Sequence, residues 1–327
     1  GSVRSTGKDP NDSLAPPLVN RRLRCIYPPG STYKPFMALA ALELGLRKAS
    51  DSIADPGYYS LPGSSHRYRD WKKEGHGTVD LHKSVVQSCD TYYYRLAVDM
   101  GVERMHDFLA GFGFGEKSGI DLPGESSGLL PSKEWKQKRW KQPWYLGETV
   151  IAGIGQGYHL ATPLQLAAAT ATLANGGTYY RPHLVKAVRN SVTREVRAVA
   201  PEAAWKLKLH PEHLAAIRAA MEGVMKPGGT AAGAGLKAPY AIAGKTGTAQ
   251  VVGIKQGAKY DEKSLHERHR DHALFVAFAP ADAPRIAVAV MVENGGQGGA
   301  PGGAAGGAGM DYYSVGKEPG GGACGGG

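Results

Sequence analysis

The chain has 327 residues, 42% hydrophobic and 21% charged, with a formal net charge of +10. The length allows one large domain or two average ones around a sizeable core, and the composition excludes a disordered or fibrous chain. The positive balance suits anionic surroundings, but the basic residues are scattered, with no finger spacing and no aromatic-glycine signature, so no nucleic-acid partner is expected.

No apolar run approaches the length needed to span a bilayer, and no signal peptide is present. The leading Gly1-Ser2 reads as residues left by cloning. Three cysteines, Cys25, Cys89 and Cys324, are too few for a disulfide framework.

In chain order, residues 1–16 are polar and turn-rich and read as a shortened lead-in. The stretch 31–46, STYKPFMALAALELGL, reads as a strong helix with Ser31 as its N-cap and Pro35 tolerated in the first turn. Residues 50–78 are rich in Gly, Pro, Ser and aromatics and predict loops with short strands. Helical patterns follow at 79–87 and 91–112, and 113–147 is turn-rich with a charged piece at 133–141. Residues 162–175 predict a helix capped by Thr162 with Pro163 at its first position, stopped by Gly176-Gly177. A further helix is predicted at 211–226. The last third turns to strands at 241–253, 272–280 and 285–293, the last two joined by the hairpin loop ADAP. Glycine-rich stretches at 295–309 and 320–327 are too glycine-dense for a helix or a core. Helices in the middle and strands at the end predict an α/β (α+β) fold with an antiparallel sheet.

Within PPGSTYKP, residues 28–35, Ser31 and Lys34 lie three apart and so share one face of a helix. A serine becomes a nucleophile when a neighbour takes its proton, and an uncharged lysine can do so. Alone the pair is weak, since a capping serine and a surface lysine give the same text. Two more triplets change the balance: Ser88-Cys89-Asp90, and Lys245-Thr246-Gly247 followed by Thr248. Their order and spacing match the active-site set of penicillin-recognising serine enzymes.

From about residue 17 to residue 293 the chain resembles the transpeptidase domain of class B penicillin-binding proteins, and LPGE (122–125), GLLPSKEW (128–135), GIGQGY (153–158) and TPLQLA (162–167) share that likeness. SCDTYYY and HRYRDW make it most similar to the branch that acts in cell elongation. The resemblance implies a single domain over 17–319, with a central antiparallel sheet flanked by helices, an all-α subdomain, and the active site between them. It implies Ser31 as the nucleophile that attacks the penultimate D-alanine carbonyl of a peptidoglycan stem peptide. Lys34 is then the base, Ser88 the proton relay to the leaving amine, and Asp90 the group that orders Lys34 or the substrate amide. Lys245, Thr246 and Thr248 would hold the terminal carboxylate, and Gly247 would leave room for the substrate backbone. The backbone N–H groups of Ser31 and Thr248 would form the oxyanion hole. β-Lactams are the expected covalent inhibitors, a membrane glycosyltransferase of the elongation machinery the expected partner, and the periplasmic face of the inner membrane the expected location. No cofactor is expected for catalysis.

Asp55, Asp70, His76 and Cys89 are spaced D-x14-D-x5-H-x12-C, an acceptable tetrahedral zinc set. On spacing alone such a set arises often by chance. Some enzymes of the branch carry a structural zinc in these positions, so the resemblance implies one here, bracing the loop of Ser88 and Asp90. A serine β-lactamase shares the three motifs but needs a deacylating base, and no glutamate sits in a recognisable deacylation motif. A penicillin-binding sensor and a catalytically dead wall-binding scaffold are the further alternatives. HERHRDH (266–272) reads as an exposed basic loop without a metal role.

Overall fold

The computed structural model describes residues 20–236, 238–251 and 269–296, together with Gly303, Gly306 and Met310. The lead-in at 1–16, most of the loop after the Lys-Thr-Gly strand and the tail at 320–327 lie outside the described residues.

In chain order come helix α1 (Arg21–Arg24), a 3-10 turn (Gly30–Tyr33), α2 (Lys34–Glu43), and the short strands β1 (Ile53–Asp55), β2 (Tyr58–Tyr59), β3 (Tyr68–Arg69) and β4 (Gly77–Val79). Helices α3 (Leu81–Val86), α4 (Asp90–Met100), α5 (Val102–Ala110), α6 (Lys133–Trp140), α7 (Leu146–Ala152) and α8 (Pro163–Ala174) follow. Then come β5 (Thr178–Tyr180), β6 (Ala187–Arg189), β7 (Val196–Ala198), β8 (Ala203–Lys206), α9 (Pro211–Val224), α10 (Ala232–Gly235), β9 (Ala243–Ala249), β10 (His272–Ala279) and β11 (Ile286–Val292). Among the described residues no helix is long and apolar enough to cross a membrane.

The three last strands form one antiparallel sheet in the order β9-β10-β11, with Val276 of β10 opposite Lys245 on one side and Ala289 on the other. β10 runs HALFVAFA and is buried from Ala273 to Ala279, an unbroken apolar run suited to a strand covered on both faces. Burying a side chain such as Phe275 or Phe278 contributes about 1.5–3 kcal/mol each. Helix α9 packs on β9, and α8 packs on β10 and β11. Helix α2 is apolar all round and lies in the centre of the core, which explains why its sequence shows no polar face.

Local chemistry sets the helix starts. Thr162 caps α8 as the sequence predicts, and Gln165 completes a reciprocal capping box with it. Asp80 caps α3 by accepting from the Lys83 amide at 2.7 Å. The helical stretch expected at 91–112 is two helices, separated at Gly101. Within the turn-rich region, α6 forms because Ser132 caps it and Glu134 pairs with Lys138 one turn on. Ser31, expected as an N-cap, sits inside the 3-10 turn instead. Pro29 holds the cap position there, and no side chain among the described residues caps the turn.

The glycine-rich stretch after residue 294 also departs from expectation. Gly303, Gly306 and Met310 are helical and buried, spaced three and four apart on one face. Glycine costs a helix about 1 kcal/mol per residue relative to alanine, but here it permits contact. A Cβ on Gly306 would lie 2.6 Å from Phe275, so only a bare backbone lets the helix lie this close to β10.

Candidate active site

Three pieces of backbone meet at Ser31. The Gly30 amide donates to the Gly155 carbonyl at 2.8 Å, and both glycines hold positive φ, +53° and +71°. A Cβ on Gly155 would lie 2.5 Å from the Gly30 carbonyl oxygen, and one on Gly30 would overlap the Thr248 carbonyl. Gln156 secures that carbonyl, with its Nε2 donating to it at 2.8 Å. The 3-10 turn carrying Ser31, the GIGQG loop and β9 are thus locked together. The Thr248 amide nitrogen lies 3.3 Å from where a Gly30 Cβ would stand, so β9 and the Ser31 turn border one corner.

Gly247 also meets the Ser31 turn. A Cβ there would lie 2.7 Å from the Thr32 methyl and 3.0 Å from the Thr32 amide nitrogen. The Ser31 turn fills that side of the strand, so the glycine is needed for internal packing.

Lys34 begins α2 and is fully buried. Its Nζ donates to the Ser88 carbonyl at 2.7 Å, to Ser88 Oγ at 3.1 Å and to Asp90 Oδ1 at 2.6 Å. All three partners are oxygens, and one of them is the Ser88 hydroxyl. Ser88 holds a left-handed backbone at φ +57°, uncommon for a residue with a side chain, between the end of α3 and the start of α4. Burial pushes the Asp90 carboxyl above the ordinary range, and the adjacent Lys34 charge draws it partly back.

Lys245 is also fully buried, with Nζ donating to the Thr246 carbonyl at 3.1 Å. Burial, and next the Lys34 charge, push Lys245 well below a normal lysine, with Asp90 opposing. Lys34 pairs directly with the half-buried Asp90 carboxylate, and Lys245 lies close enough to feel both charges. The Thr246 hydroxyl pairs with the Thr230 hydroxyl at 2.8 Å.

Asp55, Asp70, His76 and Cys89 converge beneath this site, all buried, with donor atoms within 4.8 Å of one another. His76 Nδ1 lies 2.8 Å from Asp55 Oδ2 and 3.5 Å from Asp70 Oδ1, and Cys89 Sγ lies 3.4 Å from Asp55 Oδ2. The remaining carboxylate oxygens accept from the Gly57 and Thr91 amides. Burial works to raise Asp55, but hydrogen bonds from Thr91, Gly57 and His76 hold it below its ordinary value. Burial and the Asp70 charge push the Cys89 thiol far up. Among the described residues His76 Nε2 is buried without a hydrogen-bond partner. Because Cys89 lies between Ser88 and Asp90, the cluster fixes the loop that holds them.

The structure thus gathers Lys34, Ser88, Asp90 and Lys245 and puts the Ser31 turn against Thr248. Several contributors went unassigned in the sequence. Trp71 Nε1 donates to the Gln87 and Ser88 carbonyls at 3.1 Å, helping fix the strained Ser88. Trp71 lies in HRYRDW, and Gly155 and Gln156 lie in GIGQGY. Both stretches carried resemblance without an assigned task. Thr230 had no signal, since it sits in an unremarkable loop and gains meaning only beside Thr246.

The fold and this constellation define a penicillin-recognising serine acyl-transferase scaffold. The model of the penicillin binding protein transpeptidase domain matches residues 2–310, and the chain belongs to that family. The peptidoglycan D,D-transpeptidase MrdA of Acinetobacter baumannii is 49% identical over 285 residues, 87% of this chain and 42% of the relative. The crystal structure of Pseudomonas aeruginosa PBP2 in complex with WCK 5153 matches with TM-score 0.82 and 46% identity, covering 92% of this chain and 62% of that one. The complex of Helicobacter pylori PBP2 with MreC matches with TM-score 0.78 and 34% identity, covering 93% of this chain and 53% of that one. The expected likeness to the elongation branch is met by these relatives. The chain spans under half the length of the curated relatives it matches.

Proposed function

We propose that this domain is a peptidoglycan D,D-transpeptidase that works through an acyl-enzyme on Ser31 and is a target of β-lactams. The reading rests above all on the buried network in which one lysine, Lys34, reaches Ser88 Oγ and Asp90 three residues from Ser31. Ser31 Oγ bonds to the carbonyl carbon of the penultimate D-alanine, and Lys34 takes its proton. Collapse of the tetrahedral intermediate breaks the C–N bond, and the Ser88 hydroxyl passes its proton to the departing D-alanine amine. Ser88 is reprotonated by Lys34, which holds the proton taken from Ser31 and lies 3.1 Å from Ser88 Oγ. An amine of a neighbouring stem then attacks the ester, forms the cross-link and returns the proton to Ser31. The amides of Ser31 and Thr248 stabilise the oxyanion, and Lys245 with Thr246 and Thr248 holds the substrate carboxylate.

A fluorescent penicillin tests this reading. A covalent adduct stable for hours supports it, whereas release within minutes would identify a β-lactamase. No adduct would reject the serine chemistry altogether.

Asp55, Asp70, His76 and Cys89 are proposed to hold a structural zinc. The fit is chemical: two carboxylates and a thiol are buried around one imidazole, which leaves negative charge for a dication to balance. Free metal at a hundred times its Kd adds about 2.7 kcal/mol, so removing it from a domain of this size should lower Tm by roughly 4 °C. Chelator dialysis followed by melting and thiol titration checks this. An unchanged Tm with Cys89 still shielded would reject the site.

The proposed setting is the periplasmic face of the inner membrane, with a membrane glycosyltransferase of the elongation machinery as partner. The MreC complex of the Helicobacter pylori relative supports assembly of that kind.

A further inference from the structure

A second cluster lies apart from the acyl site and shares no residue with the Asp55 set. Glu43 ends α2, His210 is the N-cap residue of α9, and His213 lies in the first turn of α9. An acid at a helix C-terminus opposes the macrodipole, so Glu43 is out of place by the rules of its own helix. Its side chain is nonetheless only 8% exposed and points at two imidazoles. His210 Nδ1 lies 2.8 Å from Glu43 Oε2, and His213 Nδ1 lies 2.9 Å from Oε1. The His210 amide also donates to Oε1 at 2.9 Å. The two rings lie 4.9 Å apart, and all three ligand atoms lie within 4.8 Å of one another.

We propose that Glu43, His210 and His213 form a second divalent-cation site, selective for zinc and ions of similar ligand preference, that clamps the end of α2 to the start of α9. Zinc bonds of about 2.0–2.1 Å at a tetrahedral angle put ligand atoms roughly 3.3 Å apart. The two carboxylate–imidazole separations, 2.8 and 2.9 Å, need to open by about half an ångström to admit the ion. Two imidazoles and one carboxylate suit zinc, cobalt or nickel, whereas magnesium and calcium prefer all-oxygen sets. His210 is 62% exposed, so the ion is reachable and completes its coordination with water. The helix fixes the ligands beforehand, with Pro211 at the first position of α9 setting the spacing of the two histidines. Without metal, the hydrogen bonds of the two histidines hold Glu43 below its ordinary pKa against its burial. The clamp joins the helix that begins at Lys34 to the helix packed on the strand of Lys245. Its expected effect is therefore on stability, with acylation chemistry unchanged.

Cobalt and zinc test the proposal on the whole chain. Cobalt at the Asp55 set gives a thiolate charge-transfer band, which reports that site separately. Wild type should bind one equivalent more of either ion than His210→Ala or His213→Ala, with no difference in the thiolate band. Added zinc should raise the Tm of wild type beyond that of both variants. Metal-free variants should melt cooperatively and label with penicillin like wild type. Should His213→Ala fail to fold, Glu43→Gln and the exposed His210→Ala carry the same comparison, with a loss of at least about tenfold in apparent affinity expected. Equal stoichiometry in wild type, His210→Ala and Glu43→Gln would overturn the site.

Discussion

Ser31→Ala is expected to take no label from a fluorescent penicillin, and Lys34→Met to take it about a thousandfold more slowly than wild type. The first change removes the only oxygen in the Ser31 turn that the proposed chemistry acylates. The second removes the proton acceptor, and a positioned base contributes typically 10²–10⁴-fold. The two should differ in stability. Ser31 is partly exposed, and its hydroxyl caps no helix, so Ser31→Ala should melt like wild type. Lys34→Met strands Asp90 beside Lys245. Breaking a buried pair costs about 3–5 kcal/mol when the remaining charge stays. Asp90 escapes part of that cost by taking a proton, since burial already pushes its carboxyl upward. The expected signature is a moderate drop in Tm with a collapse in labelling rate. Wild-type labelling by Lys34→Met would remove Lys34 from the mechanism.

The second large effect concerns acid. His159 is fully buried between Tyr33 and Phe114, with ring centroids at 4.5 and 5.4 Å. Among the described residues neither of its ring nitrogens finds a hydrogen-bond partner. Burial, with a smaller contribution from His106, lowers its pKa to about 3. The unfolded chain, with an ordinary value near 6.5, binds a proton that the folded chain refuses between about pH 6.5 and pH 3. Stability is therefore complete above pH 6.5 and falls as pH drops through that window, by on the order of 2 kcal/mol at pH 5. His159→Phe keeps an aromatic ring against Tyr33 and removes the titration. Melting curves from pH 7 to pH 5 should diverge, wild type falling more steeply. Parallel curves would show that His159 is not the group responsible. Because Tyr33 lies in the 3-10 turn with Ser31, the acid loss should reach the labelling rate as well.

The legibility of this molecule followed the range of the interactions. Capping is local, so Thr162-Pro163 announced α8 correctly. β10 and β11 were legible because they are apolar runs either side of a tight loop. The Ser31–Lys34 pair and the two triplets stood out as motifs through spacing and resemblance, although 54 residues and more separate Lys34 from its partners. What failed was what only tertiary contact determines. Ser31 reads as a cap until Pro29 and the 3-10 turn are seen. Gly306 reads as a helix breaker until Phe275 appears beneath it. The packing of Gly247 against Thr32 likewise shows only in the folded chain. Thr230 carries no sequence mark, because its role exists only opposite Thr246.

The locking of the Ser31 turn by bare backbone also limits how this site can escape inhibitors. Gly30, Gly155 and Gly247 each stand where one added methyl would collide with backbone or a neighbouring side chain, and Gly30 and Gly155 also need positive φ. Drug resistance by reshaping these three positions would thus forfeit the nucleophile's alignment for substrate and inhibitor alike. Trp71, though largely exposed, also anchors this region through its bonds to the Gln87 and Ser88 carbonyls. On the proposed reading of Ser31 as the group β-lactams acylate, substitutions compatible with an aligned nucleophile are confined to positions outside this turn.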